Sequence, residues 1–245
     1  MKTRKKKFNK YKKTKHKEKI FKSKNIRKSI KKKKKYKNFQ LGDNYNNRYQ
    51  HWENEFLEWN LNKNRESSSG PGSTINNTKN TLKTLNYIIN NFNIKTLLDV
   101  PCGDINWIHN IFNKVTYMGL DISKSLINYN KSKYPTINFK VFDIVKNIPK
   151  NSYDLVLCRD LLFHLSPEDG IKALKNIKNT GSKYLLTTTF KNGDNNNILD
   201  KVSGSRFYKI NLQHPPFNLP NPIKYFKEVE KDKFLGLWDL SEINL

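Results

Sequence analysis

The chain has 245 residues and a formal net charge of +26, from 47 Lys and Arg against 21 Asp and Glu. That length suffices for one substantial core plus an extension. No apolar run approaches the roughly 18 residues that cross a bilayer, and the basic N-terminus lacks the apolar segment of a secretory signal, so a soluble, intracellular protein of cytoplasm or nucleus is expected. Two cysteines, Cys102 and Cys158, with no C-x-x-C pair, support neither a disulfide framework nor a zinc site, and no metal is expected.

Residues 1–38 hold 21 of the 47 basic residues and a single acid, Glu18. So charged a segment buries too little apolar surface to offset its ordering entropy and is predicted to be disordered. The expected division is a Lys-rich tail over 1–40 and one domain over 41–245. Lys31 to Lys35 would draw nucleic-acid phosphates by counterion release or serve as an import signal; a merely solvated tail is the plain alternative.

Tyr45 to Asn60 reads as a helix around Trp52, Phe56 and Trp59. Glu66 to Ser73 is a loop by composition, either a linker or a lid whose Gly70 and Gly72 backbone binds a carboxylate. Asn77 to Phe92 gathers Leu82, Leu85, Ile88, Ile89 and Phe92 on one helical face. Five strands follow, at Thr96–Val100, Thr116–Leu120, Asn138–Phe142, Asp154–Cys158 and Lys183–Thr189, separated by helical segments. The best marked helix opens at Ser166, with Pro167 at its first position and Asp169 completing a capping box. Two more strands are expected near Phe207–Leu212 and Lys233–Trp238, joined across the proline-broken stretch from Pro215 to Pro222. Strands alternating with helices predict a doubly wound, mostly parallel α/β sheet.

Within this order the run Leu97-Leu98-Asp99-Val100-Pro101-Cys102-Gly103-Asp104, followed about twenty residues later by Gly119-Leu120-Asp121-Ile122, is the most informative. A strand, a tight turn and a second strand ending in an acid place a nucleoside beyond the carboxyl ends of the sheet, with the acid on the ribose hydroxyls. One glycine in the turn, Gly103, with Pro101 where a dinucleotide fingerprint opens on glycine, argues against a diphosphate on the next helix. A nucleoside without phosphate remains compatible.

The segment from about Thr96 to Phe190 resembles a class I S-adenosylmethionine-dependent methyltransferase. Asp99 to Gly103 is similar to the first motif, Asp121 to the ribose-binding acid, Asp143 in Phe142-Asp143-Ile144 to the acid near the adenine amino group, and Tyr153 to Leu165 to the fourth strand and its exit turn. The resemblance implies S-adenosyl-L-methionine as cofactor, bound by Asp99, Pro101, Gly103, Asp104, Asp121, Ile122, Asp143 and Ile144. It also implies seven strands ending in an antiparallel hairpin. Asp104 would face the methionine portion or cap the following helix, and Trp107 would stack on ligand or belong to the core.

Because a sulfonium is already an activated methyl donor, the protein's task is positioning, plus proton removal where the acceptor needs it. Arg159, Asp160 and His164 follow the fourth strand and are the catalytic candidates. His164 would be a base for a hydroxyl or only orient the loop; Arg159 would bind an acidic group or pair with Asp160; Asp160 would be base or metal ligand. Cys158-Arg159-Asp160-Leu161 lacks the Asn/Asp-Pro-Pro-aromatic pattern of enzymes that methylate bases. A small-molecule or glycan hydroxyl is the leading acceptor, favoured by the compact C-terminal region with its Pro-rich cover. The alternatives are an RNA cap held by the basic tail, and a catalytically silent fold that binds nucleic acid through residues 1–38.

Overall fold

The computed structural model describes residues 45–61, 65–195 and 207–245. The expected disordered tail, and with it the boundary near residue 40, lies outside them. Residues from Asp43 on form one compact unit.

The described residues form four α-helices and seven strands: α1 Tyr45–Leu61, α2 Ile75–Asn91, β1 Thr96–Asp99, β2 Thr116–Asp121, α3 Lys124–Lys133, β3 Asn138–Val141, β4 Leu155–Cys158, α4 Pro167–Lys178, β5 Tyr184–Phe190, β6 Lys224–Lys227 and β7 Lys233–Asp239. The sheet order is β3-β2-β1-β4-β5-β7-β6. The first five strands are parallel, and β7 runs antiparallel to both β5 and β6. The chain reverses its winding between β1 and β4, which opens a crevice beyond the carboxyl ends of those strands.

Alternate residues of each strand feed two cores. Leu98, Val156 and Leu185 pack with Leu174 and Ile177 of α4 on one face. Leu97, Leu155 and Leu186 pack with Leu85 and Ile88 of α2 and Ile127 of α3 on the other. Covering both faces is what makes the central strands β1 and β4 read as apolar runs. Caps set the helix starts: the side chains of Thr74, Ser123 and Ser166 accept from the backbone N–H three residues on.

Three expectations are corrected. Residues 207–212 form no strand, because β7 already occupies the open edge of β5; the segment is held by Phe190 N–H to the Ile210 carbonyl and Leu212 N–H to Thr189 Oγ1. The hairpin partner is β6 instead. After β1 the chain makes only a 3-10 turn at Ile108–Ile111, so no α-helix follows Gly103 and Asp104 has none to cap. Between β3 and β4 the crossover consists of turns.

Gly236, paired with Thr187 across β5 and β7, leaves room for the indole of the buried Trp238: a Cβ at this position would overlap the ring. Gly236→Ala is expected to cost about 1–3 kcal/mol from overpacking, measured by denaturant unfolding; an unchanged midpoint would mean the ring has somewhere else to go.

Candidate active site

A cavity of about 430 Å³ opens at the carboxyl ends of β1, β2 and β4, roofed by α1 and the loop over residues 68–73. That is the size of a small-molecule site.

At one end the turn after β1 folds back on β2. Cys102 N–H donates to the Leu120 carbonyl, Gly103 adopts φ +58°, and its N–H donates to Asp121 Oδ2 at 3.2 Å. Ser123 N–H donates to Asp121 Oδ1 at 3.0 Å. The backbone thus aims this carboxylate at the cavity, where Ile122, Leu126 and Phe56 complete an apolar wall. Burial pushes the Asp121 pKa up to about 6 against these backbone donors. Asp99, at the end of β1, accepts from the Tyr117 hydroxyl at 2.7 Å; burial raises its pKa to about 8.

At the other end a buried ionic cluster supports the floor. Arg159 donates Nε to Glu228 Oε1 at 2.8 Å and Nη2 to the Gly72 carbonyl at 3.1 Å, and its Nη1 pairs with Asp160 Oδ2 at 2.9 Å. Lys233 Nζ bridges Asp160 and Glu228 at 2.8 and 3.2 Å. Thr188 Oγ1 donates to Asp160 Oδ1, and Thr81 Oγ1 donates to Glu228. Two cations and two carboxylates therefore neutralise one another. Although burial raises the Asp160 pKa, Arg159 and Lys233 hold it below the ordinary carboxylate value, so Asp160 is a poor proton acceptor.

His164 lies half-buried on the wall, its ring 4.4 Å from that of Phe163 and 5.5 Å, edge on, from that of Trp52. Its neighbour His51 is buried; burial, and then the charge of His164, lowers the His51 pKa to about 4.

The cavity brings together Asp99, Pro101, Gly103, Asp121, Ile122, Arg159, Asp160 and His164, and Trp107 is both a wall residue and part of the core. Asp104, Asp143 and Ile144 are not on its wall. The Asp104 carboxylate accepts from Ser67 Oγ and Ser68 N–H, tying down the loop above. Asp143 pairs with Arg48 at 2.9 Å and accepts from Val145 N–H, and Ile144 is in the core. Sequence reasoning missed Lys233 and Glu228, whose partners are remote in the chain, and Trp52 and Trp59, whose spacing of two helical turns on α1 was read only as a packing face. Among the described residues no group of three His, Cys, Asp or Glu is arranged to hold a metal ion, and no helix is long and apolar enough to cross a membrane.

Residues 97–181 match the methyltransferase domain family. The chain is 29% identical over 139 residues to a putative methyltransferase, 235L, of Invertebrate iridescent virus 6, covering 54% of this chain and 52% of that one. It spans about half, or less, of the curated relatives it matches. Among solved structures, magnesium protoporphyrin IX methyltransferase from Synechocystis PCC 6803 superposes with a TM-score of 0.53 at 14% identity, over 78% of this chain and 94% of that one. An S-adenosylmethionine-dependent methyltransferase from Clostridium acetobutylicum ATCC 824 gives 0.50 at 14% identity, over 65% and 90%. At such identities the likeness is one of fold.

Proposed function

With a methyltransferase domain over residues 97–181, carried on the class I fold, as the premise, we propose that the protein transfers a methyl group from S-adenosylmethionine to a hydroxyl of a small molecule or glycan, with His164 as the base. The observation that carries this is one cavity holding the Gly103–Asp121 turn at one end and His164 at the other.

The residues fit an adenosyl group. Asp121 is a buried carboxylate whose two oxygens are oriented by backbone N–H groups at the end of β2, the place where ribose hydroxyls are accepted in doubly wound sheets. Phe56, Ile122 and Leu126 supply apolar wall beside it. When bound, S-adenosylmethionine supplies a methyl on a sulfonium, whose carbon–sulfur bond breaks as the acceptor's oxygen–carbon bond forms, the electron pair leaving with sulfur. The chain's own part is to align the acceptor and to receive the hydroxyl proton on the His164 imidazole. Arg159 and Asp160 act from below, fixing the Gly72 loop and the turn after β4.

The cavity wall also weighs against a polyanionic acceptor. Its acids are Glu55, Asp99, Asp121, Asp160 and Glu230, and its bases Arg159 and Lys233 are both ion-paired. Among the described residues, a phosphate-rich chain finds no uncommitted Lys or Arg on that wall. An intracellular setting agrees with two free, buried thiols, Cys102 and Cys158.

Calorimetric titration with S-adenosylmethionine tests the cofactor. Asp121→Ala is expected to weaken binding about 10- to 100-fold, the scale of hydrogen bonds to a charged group. Wild-type affinity falls as pH drops through about 6, where Asp121 takes up its proton. The ligand-free fold moves the opposite way: with the Asp121 pKa raised from its ordinary 3.8, the stabilisation from the bound proton is fully present below 3.8 and lost as pH rises through about 6. Equal affinity in wild type and variant, or no binding by a folded wild type, would sink the cofactor assignment.

A further inference from the structure

We propose that the acceptor end of this cavity is shaped for an uncharged, hydroxylated ring, a sugar unit, and that Trp52 is the residue that selects it; the proposal rests on the methyl-transfer reading above and names the acceptor within it.

Helix α1 divides its labour by face. Glu53 turns toward α3, where it accepts from Ser123 Oγ at 2.7 Å and from Ser125 N–H and Oγ. Phe56 follows, its ring 6.3 Å from that of Tyr129. That face serves the Asp121 end. Trp52, Glu55 and Trp59 also line the cavity. The Trp59 ring is committed to packing: it lies so close over Gly70 that a Cβ there would come within 2.7 Å, and Arg65 covers it at 5.2 Å. The half-buried Trp52 instead stands beside His164, so a ring stacked on the indole carries its edge hydroxyls next to the imidazole. Phe207, 45% exposed and 4.9 Å from Phe163 ring to ring, adds a second apolar surface.

The polar groups at this end indicate what the ring carries. Arg159 and Lys233 are neutralised by Asp160 and Glu228, so among the described residues no Lys or Arg there calls for a phosphate or carboxylate. Glu55 and Glu230 are also wall residues, and Glu230 lies 4.0 Å from Lys233 Nζ. Apolar faces with a few convergent acceptors are how a site holds a ring whose faces are C–H and whose rim is O–H. Two anchors fix Trp52 in place: Glu53 beside it, and Arg48 one turn earlier, paired with Asp143 and Asp169.

The experiment uses the full chain and S-adenosylmethionine labelled in its methyl group. It is offered methyl glycosides of neutral hexoses and deoxyhexoses, the matching amino sugars, the matching sugar phosphates, and capped RNA. Label is expected on a neutral glycoside. Trp52→Ala is expected to raise KM for that glycoside about tenfold or more, while S-adenosylmethionine affinity by calorimetry stays within about twofold. Trp52→Phe recovers most of the loss. Label on an amino sugar, a phosphate or RNA overturns the assignment, as does no transfer to any of them by a wild type that binds S-adenosylmethionine, or an unchanged KM in Trp52→Ala. A wild type that fails to bind S-adenosylmethionine overturns the underlying methyl-transfer reading, and this one with it.

Discussion

His164→Gln is expected to lower kcat by about 100-fold or more, the usual contribution of a positioned general base, while leaving S-adenosylmethionine affinity near wild type. The expectation follows from the place of His164 beside Trp52 on the cavity wall and from how its neighbours are engaged. Asp160 is saturated by Arg159, Lys233 and Thr188 and held in its ionised form. Arg159 is a cation with every nitrogen engaged. Asp121 is held by backbone N–H groups beside Gly103, Asp99 accepts from the Tyr117 hydroxyl, and His51 is buried beside Trp52 with its proton affinity lowered. Glutamine keeps side-chain bulk and a hydrogen-bonding amide but does not carry a proton away. A kcat within about threefold of wild type would mean that the acceptor needs no base and that His164 only supports Trp52.

What the sequence disclosed divides by range. The Asp99–Gly103 turn, Asp121 and the Ser166 cap were legible because each is written in a few adjacent residues: an apolar run closed by an acid, or a cap three residues before its partner. β1 and β4 were legible because burial on both faces leaves nearly uninterrupted apolar runs. Phe207–Leu212 misled because its alternation is that of a strand, whereas pairing is decided by which segment reaches the edge of β5, and β7 does so in seven-residue register. The partner of Asp143 was hidden for a related reason. An acid at the end of β3 stands where ligands are met, yet Arg48, 95 residues away in sequence, takes its carboxylate. The Arg159–Glu228 pair spans 69 residues. Nothing local marks such partners; the available signal was charge beside a strand that has to be buried, as in Lys233-Phe234-Leu235.

Arg48→Met is expected to destabilise the protein by about 3–5 kcal/mol, because removing one member of a buried ionic group leaves the others uncompensated. Arg48 is 6% exposed and sits between Asp143 at 2.9 Å and Asp169 at 3.2 Å, themselves 4% and 1% exposed. Its guanidinium is the bolt that joins α1 to the end of β3 and the first turn of α4, and methionine fills similar volume without the charge. At roughly 2–4 °C per kcal/mol for a domain of this size, the melting temperature should fall by about 10 °C. Adding Asp169→Asn to Arg48→Met should recover part of the loss, since it removes one of the two orphaned charges. If the double variant is no more stable than the single, the stabilisation comes from packing of the arginine stem rather than from its charge. Should only α1 detach, the main unfolding transition would stay put, while Trp52 loses its place over His164 and acceptor turnover falls with it.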